Sequence, residues 1–288
     1  ILWGLFKKMV IADRCAEYAN IIFNNSSHYS GAILVLGALL FAFQIYTDFS
    51  GYSDIAIGTA RLFGIDLLRN FAFPYFSRDI AEFWRRWHIS LSSWFKDYLY
   101  IPLGGSKGGN WMRIRNTFII FLVSGFWHGA NWTFIVWGAL NALYIMPSII
   151  FHTNRTNMDI VARGKILPGI RDLLSIIVTF SLTVFAWIFF RSDSLHHAFS
   201  FIYNMFGGLF QKQNYILAGL FIKTYLGSLP ILILIFFVIE WLGRSQQYAI
   251  ASLWLGYPRM VRWVIYYSII FMIVSYGGPE QQFIYFQF

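Results

Sequence analysis

The chain has 288 residues, of which 58% are hydrophobic, 21% are aromatic and only 12% are charged. Soluble domains carry about 25% charged residues, so this composition excludes an ordinary water-soluble protein and, being so apolar, a disordered chain. The apolar runs are as long as helices and lack the alternation of barrel strands, which predicts an all-α, polytopic membrane protein. The formal net charge is +9. We expect the basic residues to set the orientation of the protein in the membrane and to contact anionic lipid headgroups, and we expect no nucleic-acid partner.

The start of the chain, Ile1, lies inside an apolar stretch without an initiating Met or a signal peptide. We therefore expect the C-terminal portion of a longer protein. No repeat or linker divides the sequence, so residues 1–288 are expected to form a single integral-membrane domain. The one cysteine, Cys15, cannot form an internal disulfide and is interpreted as a structural thiol.

The first 60 residues combine apolar runs with unusual charges. Residues 1–23 carry too many charges to span a membrane and predict an interfacial helix. Residues 31–44 are nearly all apolar and predict the core of a span, and the helical pattern continues to Ile57. Asp48 and Asp54 then fall in or near the membrane, where carboxylates must face a protein interior or a water-filled cavity.

A regular apolar stripe over residues 80–98 predicts one continuous amphipathic helix. The stripe consists of Ile80, Phe83, Trp84, Trp87, Leu91, Trp94, Phe95 and Tyr98. Because the opposite face is charged, the helix is expected to lie at an interface or to plug the interior of the bundle. Nine of the 22 basic residues fall within residues 61–115, which predicts that this region faces the cytoplasm.

Residues 116–151 form a stretch of 36 residues without a charge. One span needs about 20 residues and two need about 40 with a turn, so the length fits neither number well. The glycine-flanked centre, residues 125–132, predicts two shortened helices that meet inside the bundle. After a polar loop at residues 152–170, further spans are predicted at 173–190, 229–242 and 263–275, with a mixed interfacial stretch at 194–226.

Two of the six histidines are candidates for function. His128 lies between glycines in the uncharged stretch, where an imidazole needs polar partners, although hydrogen bonding for helix packing is the alternative. His88 lies at the border of the apolar stripe, where it could face a substrate or an interface. The other four lie in polar or interfacial stretches typical of solvated histidines: His28, His152, His196 and His197.

The chemistry open to two buried histidines is narrow. A metal site needs three or four ligands, which no cluster in the sequence supplies at helical spacing. No Gly-x-Ser-x-Gly nucleophile elbow is present, and the glycine-rich residues 104–109 lack P-loop spacing and are interpreted as a turn. A histidine can also act as the general base that deprotonates a hydroxyl as it attacks an acyl carbonyl. The pattern therefore favours acyl transfer.

Two blocks of residues resemble the membrane-bound O-acyltransferase (MBOAT) family, in its bacterial alginate O-acetylase-like branch. They are Phe-Trp-Arg-Arg-Trp-His-Ile-Ser-Leu-Ser at residues 83–92, followed by Asp-Tyr-Leu-Tyr-Ile-Pro-Leu-Gly-Gly at 97–105, and Gly-Phe-Trp-His-Gly-Ala-Asn-Trp at 125–132. Residues 4–8 and 48–54 also match the branch. Full-length members of the family are longer at the N-terminus, so the resemblance implies that several N-terminal spans are missing from this fragment. The resemblance implies a helical bundle with a transmembrane tunnel, the acyl donor arriving from the cytoplasm and the hydroxyl acceptor from the other face.

The resemblance also implies site residues. His128 matches the position regarded as catalytic in the family, and His88 matches a second signature position that is Asn in many eukaryotic members. The tail at residues 283–288 resembles an aromatic motif in which a tyrosine, here Tyr285, takes the acyl group transiently; an interfacial aromatic anchor is the alternative. The candidate tunnel or supporting residues are Arg85, Ser92, Trp127, Asn131, Asp48 and Asp54, although the two aspartates could equally pair helices.

The implied activity is an O-acyltransferase, most specifically an acetyltransferase, of the bacterial cytoplasmic (inner) membrane. Its donor would be acetyl-CoA or another acyl thioester, without a metal, and its acceptor an extracytoplasmic polysaccharide such as alginate. The implied partners are extracytoplasmic acyltransferase or carrier proteins and membrane lipids. Alternative acceptors are peptidoglycan, teichoic acid with a D-alanyl donor, or a lipid; alternatives of another class are a transporter or channel, and a non-catalytic scaffold.

Overall fold

The computed structural model describes residues 1–251 and 255–284. It divides into two compact units, which we call the first unit (Ile1–Leu68 with His196–Phe288) and the second unit (Arg69–Leu195). The α-helices in chain order are α1 (Leu2–Leu5), α2 (Asp13–Asn24), α3 (Ala32–Leu62), α4 (Ile80–Arg86), α5 (Ile89–Phe95), α6 (Gly109–His128), α7 (Trp132–Ile150), α8 (Ile170–Arg191), α9 (Leu195–Gly208), α10 (Lys212–Phe221), α11 (Leu229–Gly243) and α12 (Arg259–Tyr276). The all-α prediction is confirmed.

The remaining helical segments are short, and their turns are either wider or tighter than those of an α-helix. The π-helical segments are Phe6–Ala12, Lys96–Tyr100 and Ile222–Leu226, and the 3₁₀ turns are Ser26–His28 and Pro74–Phe76. Phe6–Ala12 joins α1 to α2 without a break, so residues 2–24 form one helical rod with a widened middle turn.

The first unit has an aromatic core. The rings of Phe23 and Phe201 stack with centroids 4.5 Å apart, and Phe41 packs on Phe23 at 6.0 Å. The Phe6–Ala12 segment and α2 bury their apolar face, and Lys7 is buried with it. The predicted interfacial helix therefore has a face that packs inside the protein.

Within the part of the chain that the structure describes, four helices are long and apolar enough to cross a membrane: α3, α7, α8 and α12. Helices α3, α8 and α12 correspond to the spans predicted from residues 31, 173 and 263 onward. Helix α7 corresponds to the second half of the uncharged stretch. The predicted span at 229–242 differs, because α11 reaches span length only together with Lys212–Leu226, from which it is bent by 87°.

The uncharged stretch folds as two helices, α6 and α7, joined at residues 129–131. The helices are longer than predicted because α6 begins at Gly109, within the basic region. Glycines allow the two helices to pack closely: a Cβ atom at Gly125 would collide with the carbonyl oxygen of Phe134, and one at Gly138 with that of Phe121. Such contact between small residues is typical of membrane helix pairs.

The continuous helix predicted for residues 80–98 is wrong. The chain forms α4 and α5, separated by Trp87 in an extended and His88 in a left-handed conformation. Side chains of the stripe diverge after the break, since Trp87 and Phe95 are buried whereas Trp94 and Tyr98 are 53% and 68% exposed.

Candidate active site

The break at His88 is held by the chain that precedes α4. The Ala72 N–H donates to the Arg86 carbonyl at 2.9 Å, and the Ile89 N–H donates to the Asn70 carbonyl at 3.0 Å. The Asn70 side chain accepts from the Ser90 N–H at 3.1 Å. These bonds replace helical ones, so the backbone can turn at His88 without losing its polar partners.

His88 itself has φ +43° and ψ +58°. A non-glycine residue in the left-handed region costs about 1–2 kcal/mol, and such strain is concentrated at functional sites. Burial lowers the pKa of the His88 imidazole to about 4, because a charged ring would lose its hydration. His88 is therefore neutral near pH 7.

His128 is the last residue of α6, at the joint with α7. Asn131 caps α7: its side-chain oxygen accepts from the Thr133 N–H at 3.1 Å, and its amide donates to the Asp193 carbonyl at 2.9 Å. The helix end is thus tied to the end of α8, which restricts the backbone next to the imidazole.

Aromatic rings surround His128. The imidazole makes edge contacts with Trp137 and Phe190, at centroid distances of 5.3 and 5.0 Å, and with Trp127 at 4.9 Å. Trp137 and Phe190 are buried, whereas Trp127 is 52% exposed. The imidazole is therefore desolvated on one side and borders an exposed aromatic residue on another.

A chain of rings leads from this shell to His88. Trp137 stacks on Trp187 at 5.7 Å, and Trp187 packs on Trp87, the neighbour of His88, at 5.2 Å. The fold thus brings together two histidines that are 40 positions apart in the sequence.

The remaining candidates of the second unit have structural contacts. The Arg85 guanidinium donates to the Asn154 and Asn157 carbonyls at 2.7 and 2.9 Å, and so holds the loop before α8. The Ser92 hydroxyl donates to the Trp87 carbonyl at 3.2 Å, which stabilises the break before α5. Their roles toward a tunnel or substrate stay predictions.

The predicted carboxylates lie in the first unit and are ion-paired. Asp48 is buried and lies 2.8 Å from Lys8, and Asp54 lies 2.8 Å from Lys7. Asp48 therefore faces the protein interior, whereas Asp54 is partly exposed. Tyr285, the predicted acyl carrier, lies outside the described residues. Among the described residues, no group of three or more His, Cys, Asp or Glu side chains could hold a metal ion.

A basic cavity of about 1000 Å³ opens beside the glycine-rich loop of the second unit. Its cations are Lys96, Lys107, Arg113 and Arg155, and Ile145 and Ile149 supply an apolar wall. The loop is pinned rather than free, because the buried Asn116 amide donates to the Leu103 and Gly105 carbonyls at 3.2 and 3.1 Å. The cavity combines positive charge with an apolar surface.

Comparison with known proteins places these features in a family. The sequence model of the MBOAT, membrane-bound O-acyltransferase, family matches residues 2–189, which include both histidines. The chain belongs to the MBOAT family. The resemblance of the two histidine blocks is thereby confirmed, and the chain is part of a polytopic membrane protein.

Three curated MBOAT relatives differ in their named acceptors. The chain is 38% identical to a probable alginate O-acetylase of Pseudomonas aeruginosa, over 85% of this chain and 44% of that protein. It is 41% identical to a peptidoglycan O-acetyltransferase of Helicobacter pylori, over 71% and 37%. It is 31% identical to a teichoic acid D-alanyltransferase of Bacillus subtilis, over 57% and 43%. The chain spans less than half the length of each relative.

Sequence reasoning missed the aromatic shell around His128. Trp187 and Phe190 lie in a continuously apolar span, where periodicity does not reveal which face is buried. One signal was available: Asn141, an amide in the uncharged stretch, accepts from the Trp84 indole at 3.3 Å and donates to the Trp137 carbonyl at 2.8 Å. Polar residues in membrane helices commonly mark such contacts.

Proposed function

We propose that this chain carries the transfer site of a membrane O-acyltransferase that moves acetyl groups from a cytoplasmic thioester to an extracytoplasmic polysaccharide such as alginate. The observation that carries the proposal is the aromatic shell around His128, which is linked to His88 through the ring contacts of Trp137, Trp187 and Trp87. Family membership and the O-acetyltransferase relatives support the reaction class. The protein would reside in a bacterial cytoplasmic (inner) membrane.

The proposed step is attack of a hydroxyl oxygen on the thioester carbonyl carbon. Neutral His128 accepts the hydroxyl proton while the new C–O bond forms, and collapse of the tetrahedral intermediate breaks the C–S bond. The imidazolium then protonates the leaving thiolate, which restores His128 and yields ester and free thiol. General-base catalysis of this kind contributes about 10²–10⁴-fold. Neutral His88 positions the acceptor or polarises the carbonyl.

The basic cavity is proposed to hold the anionic part of the donor. The phosphates of acetyl-CoA and the phosphopantetheine of an acyl carrier protein share this chemistry. Arginine and lysine bind phosphate through charge-assisted hydrogen bonds, and the isoleucine wall suits the pantetheine arm. Donor binding from the cytoplasm agrees with the predicted cytoplasmic orientation of this basic region.

Tyr285 is proposed to be the first acceptor. A tyrosine phenol has an unperturbed pKa of about 10, so near pH 7 it is neutral and needs a base to attack the thioester. The resulting aryl ester would pass its acetyl group to an extracytoplasmic partner protein or directly to the polymer. The acceptor polymer could be alginate, peptidoglycan or teichoic acid, as the names of the relatives indicate.

The test uses the complete protein in membrane vesicles supplied with acetyl-CoA labelled in its acetyl group. We expect mass spectrometry to find acetyl on Tyr285, and His128→Ala to lower this acetylation at least 100-fold. Tyr285→Phe keeps the aromatic ring but should abolish polymer acetylation in cells. Unchanged acetylation of the polymer in cells that carry His128→Ala would reject the mechanism in favour of a transporter, channel or scaffold.

A further inference from the structure

The segment after α12 runs along the N-terminal helical rod of the first unit. The Gly278 N–H donates to the Met9 carbonyl at 2.8 Å. That carbonyl is available because, in the π-helical turn, the Asp13 N–H donates to the Lys8 carbonyl. In a regular α-helix the same N–H would donate to the Met9 carbonyl. The widened turn thus gives the tail a backbone acceptor.

Close approach at this point requires glycine. A Cβ atom on Gly278 would lie 2.9 Å from the Arg14 backbone nitrogen, closer than packed atoms can approach. Arg14 is itself fixed, because its guanidinium donates to the Ser228 hydroxyl at 3.0 Å and to the Leu226 carbonyl at 3.1 Å. The tail therefore contacts a rigid surface.

A buried charge cluster holds the tail farther along. Lys8 Nζ lies 2.8 Å from both Asp13 and Asp48, and it donates to the Gln281 carbonyl at 3.2 Å. The Ile284 N–H donates to the second oxygen of Asp48 at 2.7 Å in a buried environment. The charges of Lys8 and Asp48 thus bind two backbone groups of the tail, and charge-assisted bonds of this kind are stronger than neutral ones.

Side chains add to these backbone contacts. The Phe283 ring packs against Tyr52 at 5.1 Å and Phe49 at 6.0 Å, both on α3. Ile284 is fully buried. Four successive contacts therefore fix the register of residues 278–284 on the rod and α3, up to the residue that precedes Tyr285.

We propose that the Lys8–Asp13–Asp48 cluster and the Met9 carbonyl form an internal dock that positions the C-terminal tail for acyl transfer. Lys8, Asp48 and Gly278 are positioning residues, since they act through the tail rather than on reacting atoms. This inference rests on the proposed role of Tyr285, because the last contact of the dock is made by Ile284, the residue before it. The Asp48 carboxylate thus orients a backbone group of the tail.

The test measures tail mobility and transfer separately in the complete protein. A nitroxide is placed at Glu280→Cys, an exposed position between the anchors, with other cysteines replaced, including Cys15→Ala. We expect an immobile label in the parent and at least a twofold shorter correlation time in Lys8→Met. Lys8→Arg keeps the charge and should retain most of the immobilisation. Lys7→Met breaks the neighbouring ion pair to Asp54 and should leave the label immobile.

A second variant acts from the tail side and leaves the charges intact. Gly278→Ala should also mobilise the label, and both Lys8→Met and Gly278→Ala should lower acyl transfer toward the Tyr285→Phe level. An immobile label in both variants would overturn the dock, and a mobile label with full transfer would overturn its positioning role. If Tyr285→Phe keeps full transfer while the label still responds, the proposed function fails and the dock stands, because mobility is measured without acyl transfer.

Discussion

Buried charges and buried histidines are accommodated differently in the two units. In the first unit, Lys8 lies between two carboxylates, so each charge removed from water gains an opposite charge. In the second unit, His128 packs against tryptophan and phenylalanine rings, and burial keeps His88 neutral. Ion-paired groups suit structure or docking, whereas a neutral imidazole can accept a proton and suits proton transfer.

The second unit also contains an ion-paired cluster, so ion pairing and the burial of neutral imidazoles can be compared within one unit. Glu82 is buried on α4 and accepts from Arg86 at 2.6 Å and from Arg78 at 3.2 Å. Its backbone N–H donates to Asp79, the N-cap of α4, at 2.6 Å. Asp159, in the loop between α7 and α8, completes the cluster with a bond of 2.8 Å to Arg78.

The largest expected effect is on this cluster. Glu82→Gln leaves two arginines without their buried counter-charge, and we expect a loss of about 3–5 kcal/mol in stability. Thermal unfolding in detergent measures it. The control is Asp159→Asn, whose side chain is 63% exposed, and which should cost under about 1 kcal/mol. Equal losses in the two variants would contradict the distinction between buried and exposed partners.

How far the sequence predicts these clusters depends on the range of the interaction. Membrane depth alone indicated that Asp48 needs a protein environment, and this was correct. Its partner Lys8 lies 40 positions away on a helix expected at an interface, and the tail contact at Ile284 spans 236 positions. Helical periodicity carries no information about such pairings, because it reports only which side of one helix is apolar.

The histidine site shows a second reason why a prediction from the sequence failed. Apolar spacing of three and four residues continues through His88, so the pattern predicts an unbroken helix. The break arises from bonds made by Asn70 and Ala72, which lie outside the pattern. The joint after His128 was predictable, because flanking glycines and a helix-capping Asn131 are local signals.

The next effect tests whether the histidine shell depends on close helix packing. Gly138→Ala inserts a methyl group against the Phe121 carbonyl between α6 and α7, and we expect a cost of about 1–3 kcal/mol with reduced transfer. Gly219→Ala is the matched control, since its Cβ atom would meet nothing within 4 Å. It should be neutral or stabilising by up to about 1 kcal/mol. Unfolding midpoints and initial transfer rates check both variants.

A smaller effect separates the backbone role of His88 from its imidazole. Asn adopts the left-handed conformation far more readily than a β-branched residue, and it keeps a polar side chain. We expect His88→Asn to retain about tenfold more transfer activity than His88→Val, a difference of about 1.4 kcal/mol. Single-turnover rates on the labelled donor measure the ratio. Equal rates would show that backbone strain at this position has no bearing on the reaction.

The last prediction concerns the pH dependence of stability, in which a neutral imidazole differs from an ion pair. The folded pKa of His88 is about 4 and the unfolded value is about 6.5, so between these values the unfolded chain binds more protons at this residue. Stability from this group therefore rises with pH across that window and is constant above about 6.5, with a slope of at most about 1.4 kcal/mol per pH unit. His88→Asn should flatten the unfolding midpoint against pH between 4 and 6.5 and leave the curve above 7 parallel to the parent. Parallel curves throughout the window would mean that His88 is protonated equally in both states, and so is not held neutral by the fold.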